Sequence, residues 1–422
     1  MLLNIKIDNL KGIEKEIEVS FLASNKIKRS PNKLSHIEKQ KNVLKNIGII
    51  GSNGSGKTSF INSIMAIQTF ITFPFRKSYN EDNKFIEQIK KFPEEMIKEL
   101  LKGLNTLKLP EQNVYRSNEP TNIEIEMYVP PRKDNISGIY VYKLAYDNKY
   151  NSDGVKKESL SYRETYSTNK EKIIFETFNN IESELGTSLL YENNVIKQIS
   201  DAQEVEKFKT KMKYYKSFGK EIMNYLSFSF NNDEIDLNHM FKNNINRFKD
   251  LCKLADEKII NVTLDKDEIN NKEKLYFWLD NKHKLNFNQL SKGTKKIILL
   301  GNKIFETIEN NSLLIIDELE SALHPQLANL LVLLMSENST DNFAQLIFTT
   351  HSPWLIFTLY NDQIIYIDNK EKYNFNSINK AINNNIISKD KNPKNALFEG
   401  LLIKNPNFDN IQNFISKYNK LK

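Results

Sequence analysis

The feature that most constrains this chain is the octapeptide Gly51-Ser-Asn-Gly-Ser-Gly-Lys57-Thr58, set between an apolar run, Val43 to Ile50, and an amphipathic stretch that starts at Lys57. Apolar run, glycine-rich turn and helix make a strand–loop–helix unit, and buried strands of this kind belong to parallel sheets covered by helices. The glycines let backbone N–H groups turn inward around an anion, and the first helical turn adds its own unpaired N–H groups. Lys57 places a point charge on β- and γ-phosphates, and the Thr58 hydroxyl suits a Mg²⁺ position. Gly51, Ser52, Asn53, Gly54, Ser55, Gly56, Lys57, Thr58 and Ser59 are therefore expected to hold a nucleoside triphosphate.

The second half of the chain supplies what such a loop needs. Leu313-Leu-Ile-Ile-Asp317-Glu318 is an apolar run ending in two carboxylates. Alone, it is equally a strand end with two solvated acids. Beside the upstream loop, Asp317 is expected to share Mg²⁺ with Thr58, and Glu318 to polarise the attacking water as general base, a task worth ~10²–10⁴-fold in rate. A third apolar run, Ala344 to Thr350, leads into His351, placed to reach a γ-phosphate.

The order of these pieces, with Leu290-Ser291-Lys292-Gly293-Thr294 before Asp317-Glu318 and Ser321-Ala322-Leu323-His324 after it, resembles the ABC class of ATPases. Leu290 to Thr294 is similar to the signature of that class, Ser321 to His324 to its D-loop and His351 to its switch histidine. The resemblance implies ATP and Mg²⁺ as ligands and a head-to-tail homodimer, or a larger oligomer. In it, Ser291 and the Gly293 backbone of one copy touch the γ-phosphate held at Lys57 of the other. A helix-like stretch from Lys295 to Ile308 follows Ser291, so this segment offers a helix N-terminus to an anion. An ordinary Ser N-cap explains the five residues taken alone equally simply. Lys292, Thr294 and His324 depart from the usual glycine, glutamine and aspartate of the class.

A gap of 234 residues separates Lys57 from Ser291, far longer than in transporter subunits, which argues against a transporter motor. Asp317 to Pro325 resembles the Asp-Glu-x-Glu-x-x-Leu-His-Pro form of RecF-like, SMC-like and overcoming-lysogenization ATPases, as do the opening residues Met1 to Ile13. Within that branch the chain is most similar to bacterial abortive-infection ATPases of the RloA/AbiL-like kind. That resemblance implies an α/β, ABC-type P-loop NTPase head, a parallel-sheet core plus an antiparallel β-layer, with an inserted helical arm. It also implies an ATP-hydrolysing regulator in anti-phage defence, acting through a separate effector protein. The alternative is a RecF/SMC-like repair ATPase that clamps DNA.

Spacing patterns divide the chain into 1–165 with the loop and β-layer, a helical arm over 166–258, the rest of the head over 259–370 and a helical tail over 371–422. Apolar residues three or four apart from Asp82 to Leu109 predict helices within an insertion at about 80–110. Thr121 to Val129, Gly138 to Tyr146 and Val155 to Glu164 alternate as strands. From about Thr168 helices are expected, with Val205, Phe208, Met212 and Tyr215 on one stripe, Ile245, Phe248 and Cys252 on another, and a break near Phe228. Heptads are not sustained, so no long coiled coil is expected.

Cys252 is the one cysteine, which excludes an internal disulfide framework, and five scattered histidines make no zinc set. The net charge of +7 is carried almost wholly by Lys, so binding of nucleic acid stays open on charge alone. No run reaches the length of a membrane span and no secretory leader is visible, so a cytoplasmic protein without membrane contact is expected. The 71 residues after His351 lack the Glu and Asp-x-Asp pair of Toprim nucleases, which points to an ATPase without its own DNA-cutting centre.

Overall fold

Two sheets of opposite character organise the protein. A computed structural model describes residues 1–10, 13, 16–24, 34–38, 41–65, 67–68, 119–133, 135–146, 155–165, 171–178, 202–228, 237–266, 273–337, 342–368, 374–384, 386–387, 392–399 and 402–403. The helices expected between Asp82 and Leu109 lie outside these residues.

The first sheet is antiparallel, in the order β2 (Ile17–Ser20), β1 (Leu2–Asp8), β6 (Thr121–Val129), β7 (Gly138–Tyr146), β8 (Val155–Arg163) and β9 (Lys172–Phe178). Alternation along β6 buries Ile123, Ile125 and Met127 on one face, as period two requires of a half-covered sheet. Helix α2 (Ala202–Met223) follows this sheet in sequence and closes that face with aromatic rings: Phe218 stacks on Tyr140 and Tyr142 at 6.0 and 5.6 Å, and Tyr215 meets Phe175 edge-on at 5.7 Å. Under them the Tyr142 hydroxyl donates to Glu158 at 2.9 Å, and burial pushes that carboxyl up to about 7.

The second sheet runs β10 (Tyr225–Phe228), β14 (Leu313–Ile316), β15 (Gln345–Thr350), β5 (Asn46–Ile50), β16 (Ile364–Asp368) and β17 (Asn374–Ser377). All neighbours are parallel except β16 and β17. Its central strands are apolar at consecutive positions because both faces are covered. Ile47, Ile49, Leu313, Ile315 and Ile347 pack with Phe60, Ile61 and Ile64 of helix α1 (57–65) and with the antiparallel layer. Ile50, Leu314, Ile316, Leu346 and Phe348 face helices α5 (Lys292–Asn310) and α6 (Pro325–Ser336). Gln345 ties the two sheets, accepting from Leu2 N at 2.7 Å and donating to the carbonyls of Leu2 and Leu44 at 3.1 and 3.2 Å. A hairpin of β3 (Leu34–Glu38) and β4 (Lys41–Leu44) precedes β5, so the run from Val43 is two strands. A small sheet, β11 (Asn261–Lys266), β12 (Glu273–Trp278) and β13 (Lys284–Asn286), packs with helices α3 (Leu237–Asn243), α4 (Ile245–Ala255) and α5.

The parallel core and antiparallel layer are those expected, and β6 and β7 have the expected bounds. The described part of 166–258, expected as an inserted helical arm, holds strands as well as helices. β9 joins the antiparallel layer, α2 covers it, and Tyr225–Phe228 is the edge strand of the parallel core, while the break expected from Phe228 to Glu234 lies, beyond Phe228 itself, outside the described residues. The reason is physical: the α2 aromatics bury against the sheet instead of each other. Phe248 and Cys252 are core as expected, while Ile245 is exposed. In the tail expected to be helical over 371–422, the described residues form one strand and two short helices. β17 extends the core sheet, and Ile378, Ala381, Ala396 and Leu397 are buried against it. Among the described residues no helix is long and apolar enough to cross a membrane.

Candidate nucleotide site

In an open parallel sheet, ligands bind beyond the carboxyl ends of the strands. Here β14, β15 and β5 lie side by side and end at Ile316, Thr350 and Ile50, so Asp317, His351 and the loop from Gly51 emerge at one edge. Gly54 and Gly56 adopt φ of 72° and 97°, the left-handed region open to glycine, and α1 starts directly after them. A Cβ at Gly54 would meet nothing within 4 Å, so the loop's crest faces open space, whereas one at Gly51 would collide with the Ser55 side chain. The Ser55 Oγ is buried without a hydrogen-bond partner. Lys57 is buried and folds over the loop, donating to the carbonyls of Gly51 and Ser52 at 2.8 and 2.9 Å. Burial pulls its ammonium below the ordinary lysine value, opposed by Asp317, Glu318 and Glu320.

Asp317 is fixed at both oxygens. Thr58 Oγ1 donates to Oδ2 at 2.8 Å and Thr349 Oγ1 donates to Oδ1 at 2.5 Å. The same Thr349 oxygen accepts from Glu318 N at 2.7 Å, so the middle strand of the three connects both acids. Glu318 stands at φ 49°, an unusual conformation for a residue with a side chain, and the residue is exposed. His351 follows on β15. Its imidazole is held below the usual histidine value, first by partial burial and then by the charge of Lys57. Its backbone N–H donates to Glu320 Oε1 at 2.5 Å, while Glu320 Oε2 is buried without a partner.

Ser291 and Gly293 belong to a different helix start. Ser291 is the N-cap of α5: its Oγ accepts from Thr294 N at 3.1 Å and lies 2.7 Å from Thr294 Oγ1. This pairing gives the departure at Thr294 a structural role. A Cβ on Gly293 would sit 2.8 Å from the Ala322 carbonyl oxygen, so glycine here permits close approach of the Ser321–His324 turn. His324 caps α6, accepting from Gln326 N at 3.3 Å ahead of Pro325, which accounts for the histidine at that position.

The structure thus brings Lys57, Thr58, Asp317, Glu318 and His351 to one edge, and gives Ser291 and Gly293 to the turn beside it. Sequence reasoning passed over Thr349, Glu320 and Lys296. The signals were a threonine near the end of a buried strand, a third acid within four residues of Asp317, and a lysine directly before the apolar run Ile297 to Leu300 of α5. Oxygen donors from Thr58 and Asp317 suit a hard cation such as Mg²⁺. Among the described residues no three His, Cys, Asp or Glu could hold a metal by themselves, so phosphate oxygens would have to complete such a shell.

A parallel sheet that delivers a glycine-rich loop, a threonine and a strand-end aspartate to one edge defines a P-loop ATPase fold. The chain belongs to the family described as "AAA domain, putative AbiEii toxin, Type IV TA system", whose model matches residues 137–356. That stretch contains Ser291, Asp317, Glu318 and His351, and the loop at 51–58 precedes it. No curated protein matches the chain. Among solved structures, an SMC head bound to the C-winged helix domain of ScpA is similar with a TM-score of 0.42 and 12% identity, covering 89% of this chain and 97% of that one. The SMC head domain from Thermotoga maritima gives 0.36 and 11%, covering 86% and 94%. A Smc head with an extended coiled coil bound to the C-terminal domain of ScpA, derived from Pyrococcus furiosus, gives 0.40 and 11%, covering 90% and 97%.

Proposed function

We propose that the protein hydrolyses ATP at the edge where β14, β15 and β5 end, within a head-to-tail homodimer that controls a separate effector in bacterial anti-phage defence. The observation that carries the catalytic part is the unbroken set of hydrogen bonds from Thr58 through Asp317 and Thr349 to the backbone of Glu318. Residues 51–59 bind the phosphates through backbone N–H groups, and Ser55 Oγ, buried and unpaired, has a bond to give there. Thr58 and Asp317 would hold Mg²⁺, which supplies charge neutralisation at the phosphates when bound. Glu318 takes the proton of the attacking water, and Lys57 and His351 face the charge that develops on the transferred group.

Ser291 and Gly293 complete the site from a second copy. Ser291 is exposed at the start of α5, and its own bonds go to Thr294 and Lys295, not to the phosphate loop of its own chain. The defence role is supported by the family description, which names a toxin of a type IV toxin–antitoxin system. Phosphate release by the purified chain with Mg²⁺ and ATP tests the activity. Sedimentation of Glu318→Gln tests the assembly: an ATP-dependent dimer is expected, and a variant that stays monomeric with saturating Mg²⁺–ATP refutes the shared site.

A further inference from the structure

Lys296 lies in the first turns of α5, five residues past Ser291, and is the one charged residue among the buried residues of that helix. Its Nζ donates to the carbonyl of Glu318 at 3.0 Å and to that of Ser321 at 2.9 Å. Burial pulls the ammonium down to about 8 against the opposing pull of Glu320, Glu318 and Asp317. A cation kept in so dry a place needs its bonds, and both bonds go to one turn. Glu318 is a left-handed residue at the start of that turn, as Ala322 is at its end, and its peptide groups are pinned on both sides: its N–H by Thr349 and its carbonyl by Lys296 and by Ser321 N at 3.0 Å. Left-handed backbone at a residue with a Cβ persists only where surroundings hold it.

We propose that Lys296 is a positioning residue for hydrolysis: it clamps the backbone of Glu318 so that the carboxylate points at the attacking water, and it ties that aim to α5, the helix that begins at Ser291. The inference rests on the reading of Glu318 as general base. The bonds of the Lys296 ammonium go to this turn and not to the phosphate loop, so ATP affinity does not depend on them. Any contact made at Ser291 is relayed along one rigid helical turn to the base.

The test is Lys296→Met in the full chain, which keeps length and apolar packing and removes the donors. The Kd for Mg²⁺–ATP is expected to stay within about two-fold while kcat falls about 10- to 100-fold, the scale of a misaimed catalytic group. Lys296→Ala is the second variant, because propylammonium replaces the missing atoms. Added propylammonium is expected to restore kcat, with the melting temperature of the variant measured alongside. A folded Lys296→Met with kcat within two-fold of wild type overturns the proposal, as does loss of Kd in step with kcat. If the Lys296→Met chain does not fold, absence of any propylammonium rescue in Lys296→Ala overturns it. A wild-type chain without ATPase activity, or an active Glu318→Gln, strikes the underlying reading instead and is told apart by those controls.

Discussion

Two helices of this protein begin at a glycine-bearing, serine-bearing turn, and they are in opposite states. The start of α1 is full of unmade bonds: left-handed glycines, a buried Ser55 hydroxyl with no partner, and a lysine that falls back on carbonyls of its own loop. The start of α5 is finished. Ser291 satisfies its own helix, and Gly293 is pressed against Ala322. Both ends carry the partial positive charge of a helix N-terminus. Only the first is shaped to take a ligand by itself; under the proposed head-to-tail assembly, the second would meet a phosphate held by another copy.

Lys57→Ala breaks the first end outright, and titration with a fluorescent ATP analogue is expected to show affinity reduced beyond about 100-fold, since a buried charge on the phosphates is lost. Retained binding would move the nucleotide elsewhere. Glu318→Gln leaves the same end intact and is expected to bind ATP normally while turnover drops ~10²–10⁴-fold in a single-turnover assay. An equal loss of binding would mean that the acid serves the loop and not the water.

How far this contrast was readable from residues alone follows from the range of the forces involved. The loop, the acids and the strand ends are local patterns, and β6, β7 and the start of α5 follow from alternation and capping within a few residues. The placement of β10 was not local. Tyr225–Phe228 is short and flanked by helices, and only pairing with Leu313–Ile316, far away in sequence, makes it a strand of the core. The same holds for α2, whose stripe of Met212 and Tyr215 predicts a buried face but not that the antiparallel layer buries it. At the site, Thr349 and Glu320 left only faint local signals, because their partners, Glu318 N and His351 N, are backbone groups brought over by tertiary packing.

Ser291→Asp sharpens the comparison at the second end. Aspartate is as good an N-cap as serine, so stability in urea is expected to change by less than about 0.5 kcal/mol. A carboxylate aimed at a phosphate from the second copy is repulsive, and turnover is expected to fall at least about ten-fold with ATP binding to the isolated subunit unaltered. Full turnover by this variant would reduce Ser291 to its cap.

Gly293→Ala gives the smallest effect and separates crowding from chemistry. Alanine favours the helix over glycine by about 0.5–1 kcal/mol. Its Cβ would meet the Ala322 carbonyl oxygen at 2.8 Å, and that oxygen belongs to a backbone turn with Ala322 itself at φ 60°, which has little freedom to yield. Overpacking of this kind costs about 1–3 kcal/mol, so a net loss near 1 kcal/mol is expected from urea unfolding. Because Lys296 grips the same turn from the same helix, the shift should reach Glu318 and lower kcat about two- to ten-fold at constant affinity. A loss of stability with unchanged kcat would show that the turn gives way at Ala322 without disturbing the acid, and that the two ends are coupled less rigidly than the clamp of Lys296 requires.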